Sequence, residues 1–132
     1  MALLVIVEKD IDYINGHLTA TSKDSLEIKN WSEALDRKGD DFPFVNSLKS
    51  MVGHCLTAAG SIESVATVLQ LHENFIFPNI NCEDLHPEIT MIVDESRIPH
   101  QLIHKELNIV AKASFGFGDV NACVIFKKWE NK

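Results

Sequence analysis

Apolar and polar residues follow one another along the chain in blocks that predict strands and helices in turn. Strand-like apolar runs are twice followed by segments with helical apolar spacing, and two more strand-like runs come near the end of the sequence. The predicted strands are residues 12–19, 42–47, 107–115 and 121–129, and the predicted helices are residues 24–38, with Asp24 as the N-cap, and 53–72. Glycines within residues 116–119 predict a hairpin turn between the last two strands.

Residues 75–101 do not follow either pattern. Pro78, Pro87 and Pro99 interrupt this stretch, which predicts an extended connector without a stable helix of its own. The predicted order is therefore β-α-β-α-connector-β-β, an α/β unit with a mixed sheet covered by helices. The second predicted helix is apolar on more than one face, which indicates burial against the sheet or a partner.

Charge and length narrow the class of protein. The 132 residues predict one domain spanning residues 1–132, and the formal net charge of −7 argues against nucleic acid as a partner. Docking of an acidic carrier protein would need a local basic site. The candidate residues for such a site, which equally fit an ordinary solvated helix face, are Lys23, Lys29, Arg37 and Lys38.

The first residues and the cysteines indicate the cellular compartment in which we expect the protein. Residues 1–7 are apolar but too few to span a bilayer, and they predict a buried strand or a docking segment. Cys55, Cys82 and Cys123 are odd in number and widely spaced, which is typical of reduced thiols rather than a disulfide framework. We therefore expect a cytoplasmic protein that does not insert into a membrane.

Polar groups cluster in three short segments that fall at the predicted ends of strands. The segments are residues 15–21 (Asn-Gly-His-Leu-Thr-Ala-Thr), 47–54 (Ser-Leu-Lys-Ser-Met-Val-Gly-His) and 114–121 (Ser-Phe-Gly-Phe-Gly-Asp-Val-Asn). In order and spacing they resemble the C-terminal half of the β-ketoacyl-acyl-carrier-protein synthases of the ketosynthase II type. The resemblance covers residues 11–128 and implies half of a thiolase-like fold, in which two such units are related by a pseudo-twofold axis.

The resemblance also implies roles for particular residues. His17, His54 and Lys49 match the catalytic residues of the family, and Thr19 and Thr21 match a Thr-x-Thr pair whose hydroxyls bind the pantetheine arm. The remaining matches form a loop that gates the acyl pocket and contributes an oxyanion-hole N–H: Gly116, Phe117 and Gly118.

The chain departs from the family pattern at two of these motifs. Leu18 stands where the family usually has glycine or alanine, and Asp119 stands where it has a second glycine. Asp119 tolerates a positive φ better than most residues do. The stretch between Thr21 and Glu27 is also one residue shorter than in the family.

The two histidines suit a decarboxylative condensation. Loss of CO₂ from a malonyl thioester leaves an enolate, and two imidazole N–H groups can stabilise its oxygen if each ring holds the correct tautomer. We expect His54 at a helix start, where the helix dipole keeps a histidine neutral. The alternative is that each residue is an ordinary histidine, exposed on the surface or hydrogen-bonded in the core, with no catalytic role.

Other candidate chemistry is weaker. His100 and His104 have a spacing that could bind a metal on a helix, but Pro99 and the lack of a third ligand favour a polar surface, so no metal is expected. Cys55 does not fit the nucleophile's role. In the family that cysteine lies in the other half of the fold.

Two functions from different classes remain open. The first is the histidine-bearing half of a 3-oxoacyl-[acyl-carrier-protein] synthase, completed by an N-terminal ketosynthase half in a separate polypeptide or in the rest of a longer protein. The expected partners are that N-terminal half, or a second copy of the chain through self-association, and acyl carrier protein. Its substrates would be carried on the phosphopantetheine of acyl carrier protein, without a further cofactor. The second is a non-catalytic scaffold or remnant that associates with condensing enzymes. An expressed fragment of a longer enzyme cannot be separated from the first by sequence.

Overall fold

A computed structural model describes residues 6–129 of the chain. Its strands are β1 (Tyr13–Asn15), β2 (Phe44–Asn46), β3 (Phe75–Ile76), β4 (Ile103–His104), β5 (Ile109–Gly116) and β6 (Val120–Lys127). Its α-helices are α1 (Asp24–Leu35), α2 (Lys49–Val52), α3 (Ala59–Glu73) and α4 (Pro87–Thr90). The predicted α/β class with a mixed sheet and covering helices is confirmed.

Four strands form the main sheet in the order β2-β1-β5-β6. Strand β1 runs parallel to both β2 and β5, and Ile14 lies opposite Val45 and Ala111. Strands β5 and β6 pair antiparallel along their full length, which confirms the predicted hairpin. Because parallel strands end at the same edge of a sheet, the residues that follow β1 and β2 are brought together.

The central strands are buried on both faces. On one face, Ile14 packs with Ile28 of α1 and with Val93. On the other face, Tyr13 packs with Leu71 of α3 and with other apolar residues. Successive side chains of a strand point to opposite faces, so β1 contributes to both clusters.

Helix α1 begins and ends differently from the prediction. Asp24 is its first residue rather than the N-cap, because the Asp24 carboxylate accepts the backbone N–H groups of Thr19, Ala20 and Thr21. The helix ends at Leu35 rather than at residue 38, since Asp36 takes a left-handed conformation with φ 50°.

The predicted helix over residues 53–72 is wrong at its start. A separate turn, α2, precedes it, and α3 begins only at Ala59. Gly53 and Leu56 have φ of +75° and +50°, and left-handed residues of this kind interrupt a helix. The connector over residues 75–101 also contains one helical turn, α4, which starts at Pro87 because a proline at the first helical position loses no hydrogen bond.

The start of the chain is only partly described. The predicted strand or docking segment over residues 1–7 falls mostly outside residues 6–129, and Glu8–Asp10 form a 3-10 turn. No helix within residues 6–129 is long and apolar enough to cross a membrane.

A buried polar network joins β1 and β2 to α3. The Tyr13 hydroxyl donates to Asn46 Oδ1 and accepts from Gln70 Nε2 at 3.1 Å. Gln70 Oε1 accepts the Phe77 backbone N–H at 3.0 Å, and Asn46 Nδ2 donates to the Phe77 carbonyl at 2.7 Å. Each of the two side-chain amides thus donates through its nitrogen and accepts through its oxygen within the protein.

Gln70→Leu should destabilise the fold, because it leaves the buried Phe77 N–H without an acceptor. The expected loss is about 1–3 kcal/mol in the free energy of unfolding, measured by urea denaturation. The matched control is Gln101→Leu at an exposed position, where a change within about 0.5 kcal/mol is expected. Equal losses at both positions would contradict the role of the network.

Candidate active site

His17 and His54 face each other at the edge of the sheet where the parallel strands end. His17 follows the end of β1, and His54 follows α2. Their ring centroids are 5.3 Å apart and the rings are nearly perpendicular, at 82°. The structure therefore brings together the two histidines that the sequence motifs singled out, although 37 positions separate them in the sequence.

The backbone at His17 is held by a glutamate of α1. The buried carboxylate of Glu27 accepts the N–H groups of His17 at 2.8 Å and Leu18 at 2.9 Å. Burial is the main reason that the pKa of Glu27 is raised above its ordinary value. Gly16 leaves room for this contact, because a Cβ at that position would lie 2.8 Å from the Leu18 side chain and 3.0 Å from Glu27 Oε1.

His54 is exposed and its ring is oriented by its own loop. The Leu56 backbone N–H donates to His54 Nδ1 at 3.0 Å, so the neutral ring carries its proton on Nε2. The predicted position at a helix start is wrong, since His54 lies in a loop and a 3-10 turn, Leu56–Ala58, separates it from α3. Its tautomer is thus set by a local hydrogen bond and not by a helix dipole.

Lys49 belongs to a buried ionic cluster beneath the histidines. Its Nζ lies 2.6 Å from Oε1 of Glu63, and Lys112 Nζ lies 2.6 Å from Oε2 of the same carboxylate. Both lysine side chains and Glu63 are almost completely buried. Glu63 and Lys112 were not singled out in the sequence analysis. Each is a charged residue in an otherwise apolar stretch, and this feature could have indicated a buried and paired charge.

The surroundings of His17 favour its neutral form. Burial first, and then the positive charges of Lys49 and Lys112, lower the pKa of His17 below its ordinary value. Its Nδ1 is buried and contacts no hydrogen-bond partner within residues 6–129. A neutral imidazole has one N–H donor and one acceptor nitrogen. The N–H of neutral His17 can therefore donate a hydrogen bond to an oxyanion.

Thr19 and Thr21 lie close together on a turn. Their hydroxyl oxygens are 3.3 Å apart. Leu18 and Ala20 have φ of +21° and +57°, so the backbone turns between the threonines. Thr19 lines a cavity and Thr21 does not.

That cavity is lined by His54 but not by His17, and it has a volume of about 470 Å³. Ser47 closes one side, because its hydroxyl donates to the Leu18 carbonyl and its N–H donates to Asn79 Oδ1. The wall combines apolar residues with a few polar groups, among them Thr19, Ser47, Lys49, Ser50, His54 and Asn79.

The hairpin turn carries the predicted gate loop. Phe117 is fully exposed, and Gly118 and Asp119 have φ of +78° and +60°. Asp119 therefore occupies the left-handed conformation that its position in the motif suggested. The aromatic ring that touches His17 is a different one, Phe115, at a centroid distance of 5.7 Å, and sequence reasoning did not single it out.

The structure does not favour metal binding by His100 and His104. His104 is in β4 and His100 in a bend, so they do not share a helix face, and no cluster of three metal-binding side chains occurs between residues 6 and 129. Cys55, Cys82 and Cys123 are all free thiols.

Comparison with known proteins identifies the class. The family model of the β-ketoacyl synthase C-terminal domain matches residues 2–83. The chain is 39% identical over 124 residues to 3-oxoacyl-[acyl-carrier-protein] synthase 2 of Vibrio harveyi, covering 93% of the chain and 29% of the relative. It is 34% identical over 122 residues to synthase 1 of Escherichia coli (strain K12), covering 92% of the chain and 29% of the relative.

Solved structures agree with this result. The ishigamide ketosynthase/chain length factor matches with a TM-score of 0.84 at 26% identity, and AntDE:AntF, a type II PKS acyl-carrier protein in complex with its ketosynthase, matches with 0.79 at 29%. Each match covers 95% of this chain and 30% of the solved chain. The chain belongs to the β-ketoacyl synthase C-terminal domain family. It spans less than a third of the length of these relatives.

Glu27→Ala should loosen the His17 segment, because two backbone N–H groups lose their acceptor. The expected cost is about 2–4 kcal/mol in the free energy of unfolding, with shifted backbone amide resonances for His17 and Leu18. Glu33→Ala on the same helix is the control, since Glu33 makes only an exposed ion pair with Lys29 at 3.8 Å. The role assigned to Glu27 fails if the two variants have the same stability and spectra.

Proposed function

We propose that the chain is the histidine-bearing part of a 3-oxoacyl-[acyl-carrier-protein] synthase. The observation that carries this proposal is the facing pair of His17 and His54, with ring centroids 5.3 Å apart, of which His54 lines the cavity. The reaction is the decarboxylative Claisen condensation of an acyl thioester with a malonyl thioester. It would serve fatty-acid or polyketide synthesis.

The proposed mechanism uses both imidazoles as hydrogen-bond donors. Neutral His17 and His54 donate to the carbonyl oxygen of the malonyl thioester while its C–C bond to the carboxylate breaks and CO₂ leaves. The electron pair of that bond becomes the enolate, whose oxygen the two N–H groups stabilise. The enolate carbon then attacks the acyl carbon held on a cysteine, and the cysteine leaves as a thiolate.

The other motif residues take supporting roles in this proposal. Lys49 supports the electrostatics of the site as part of the buried ionic cluster that it forms with Glu63. Thr19 and Thr21 hydrogen-bond the pantetheine arm of the substrate. Phe117, flanked by Gly116 and Gly118, moves as a gate over the acyl pocket and offers its N–H to an oxyanion, and its full exposure leaves it free to move.

The nucleophilic cysteine is proposed to come from a second unit, in the same or a separate polypeptide. Apolar side chains exposed on α3 and β6 give that unit a surface to cover: Ile62, Val65, Val68, Leu69, Val120, Val124 and Ile125. Without the second unit, this surface would favour self-association. The substrates reach the site on acyl carrier protein, no further cofactor is needed, and the free thiols fit a cytoplasmic location.

The alternative is a non-catalytic scaffold that associates with condensing enzymes. The observation in its favour is that Leu18 and Asp119 replace family glycines or alanine and both have positive φ, at 21° and 60°. A positive φ strains the backbone of a residue other than glycine, and in this alternative the strain makes the substrate tunnel unsuited to catalysis. The reconstitution experiment below separates the two functions, since a scaffold would support no condensation.

The chain by itself should not catalyse condensation or malonyl decarboxylation, because the resemblance places both the nucleophile and half of the acyl pocket in the other unit. The measurement is product formation by the purified chain compared with its His17→Ala, His54→Ala double variant. Product above that of the double variant would falsify the need for a second unit.

The exposed apolar surface should also make the chain associate. We expect oligomers in sedimentation velocity at high micromolar concentration, and binding to a ketosynthase N-terminal unit added in trans. A monomer that neither binds that unit nor takes up a hydrophobic dye would count against the proposed surface.

In the reconstituted pair, His54→Ala should abolish malonyl decarboxylation while the partner's cysteine still becomes acylated. Loss of one preorganised donor at an oxyanion costs on the order of 10²–10³ in rate. His17→Ala and Lys49→Ala should also lower condensation, whereas His104→Ala is the matched histidine control and should retain it. Acyl loading and malonyl turnover are measured separately, and wild-type turnover by His54→Ala contradicts the assignment.

A further inference from the structure

The ionic cluster beneath His17 contains one more cation than anion. Glu63 of α3 lies between Lys49 of α2 and Lys112 of β5, at 2.6 Å from each ammonium. With all three groups ionised, two positive charges and one negative charge leave a net charge of +1. The Lys112 side chain is only 2% exposed, so water screens this charge poorly.

Lys112 is held in place by several contacts. Besides Glu63, its Nζ donates to the Ala113 carbonyl and lies 3.2 Å from Ser114 Oγ. Ser114 in turn packs near Gly60 at the start of α3, where an added Cβ would be 3.6 Å from Ser114 Oγ. The ammonium therefore stays beside Glu63 and cannot turn outward to solvent.

We propose that Lys112 is a positioning residue that fixes the Glu63 carboxylate on Lys49 and supplies the positive charge that keeps His17 neutral. The inference rests on the proposed role of His17 as a neutral donor to a thioester oxygen. Lys49 alone would form a neutral pair with Glu63. Lys112 is the group that makes the cluster positive.

Most of the charged groups around His17 act on its protonation in the same direction. The ammonium groups of Lys49 and Lys112 and the ring of His54 disfavour a proton on His17, and the Glu63 carboxylate opposes them. Burial lowers the pKa of Lys112 itself, and its pairing with Glu63 opposes that lowering. The Glu27 carboxylate approaches His17 from α1 but accepts its backbone N–H, and the Phe115 ring contributes no net charge.

The test is the proton titration of His17 in the full 132-residue chain, followed by NMR with labelled histidine and assigned by His17→Gln. In the wild-type protein the midpoint should lie below that of a histidine in an unstructured peptide, about 6.5. Lys112→Met should raise the midpoint, because the cluster loses its excess positive charge. Glu63→Gln should lower it, and Lys112→Arg should keep the wild-type value.

Controls separate electrostatics from folding. Lys127→Met removes an exposed lysine of the same hairpin and should leave the His17 midpoint unchanged. Lys112→Gln, which retains a donor toward Glu63, replaces Lys112→Met if the latter does not fold. An unchanged midpoint in a folded neutral variant overturns the inference, and so does a wild-type midpoint at or above the peptide value.

A second readout distinguishes this inference from the proposed function. In the reconstituted enzyme, Lys112→Met should move the acid limb of the pH profile of malonyl turnover to higher pH, because protonated His17 is inactive. If the NMR midpoint moves and the acid limb does not, Lys112 keeps its electrostatic role and the role of His17 as neutral donor is wrong. If neither moves, the inference about Lys112 is wrong while the condensation activity still stands.

Discussion

The carboxylate of Glu63 joins three of the elements on which the site is built. It lies on α3, it pairs at 2.6 Å with Lys49 of α2 and with Lys112 of β5, and it is 1% exposed. An unpaired buried carboxylate costs several kcal/mol of desolvation free energy, on the order of the cost for each unpaired buried lysine ammonium. The three elements are therefore held at one spacing by groups that cannot separate without leaving a buried charge.

This spacing also determines where the histidines lie. Helix α3 is fixed to β1 by Asn15, whose Nδ2 donates to the Glu63 carbonyl at 3.2 Å and to Thr67 Oγ1 at 3.0 Å. The same strand delivers His17 just beyond its end, and the α2 turn that carries Lys49 delivers His54. The distance between the two imidazoles thus follows from the way the helices sit on the sheet.

Much of this arrangement could be predicted from sequence, and the rest depends on contacts that sequence does not display. The hairpin was predictable because apolar alternation flanks a glycine-containing turn, and the histidine pair was predictable because its motifs are local. The start of α3 was not, since the helical pattern continues through the left-handed residues Gly53 and Leu56. Glu63 and Lys112 are 49 positions apart, and only the pairing of α3 with β5 brings the opposite charges together.

The two histidines are held in different ways, and the difference bears on the proposed reaction. His17 is half-buried and its backbone is clamped by Glu27, so its position is fixed before any substrate arrives. His54 is exposed in a loop that follows Gly53, and only its ring orientation is set, by Leu56. Preorganised donors cost little reorganisation at the moment when charge develops, and an exposed donor with fewer contacts is less preorganised. In the proposed synthase, the unit that carries the cysteine would therefore do more than supply the nucleophile, because covering the exposed side of His54 would give the second donor the rigidity that the first already has.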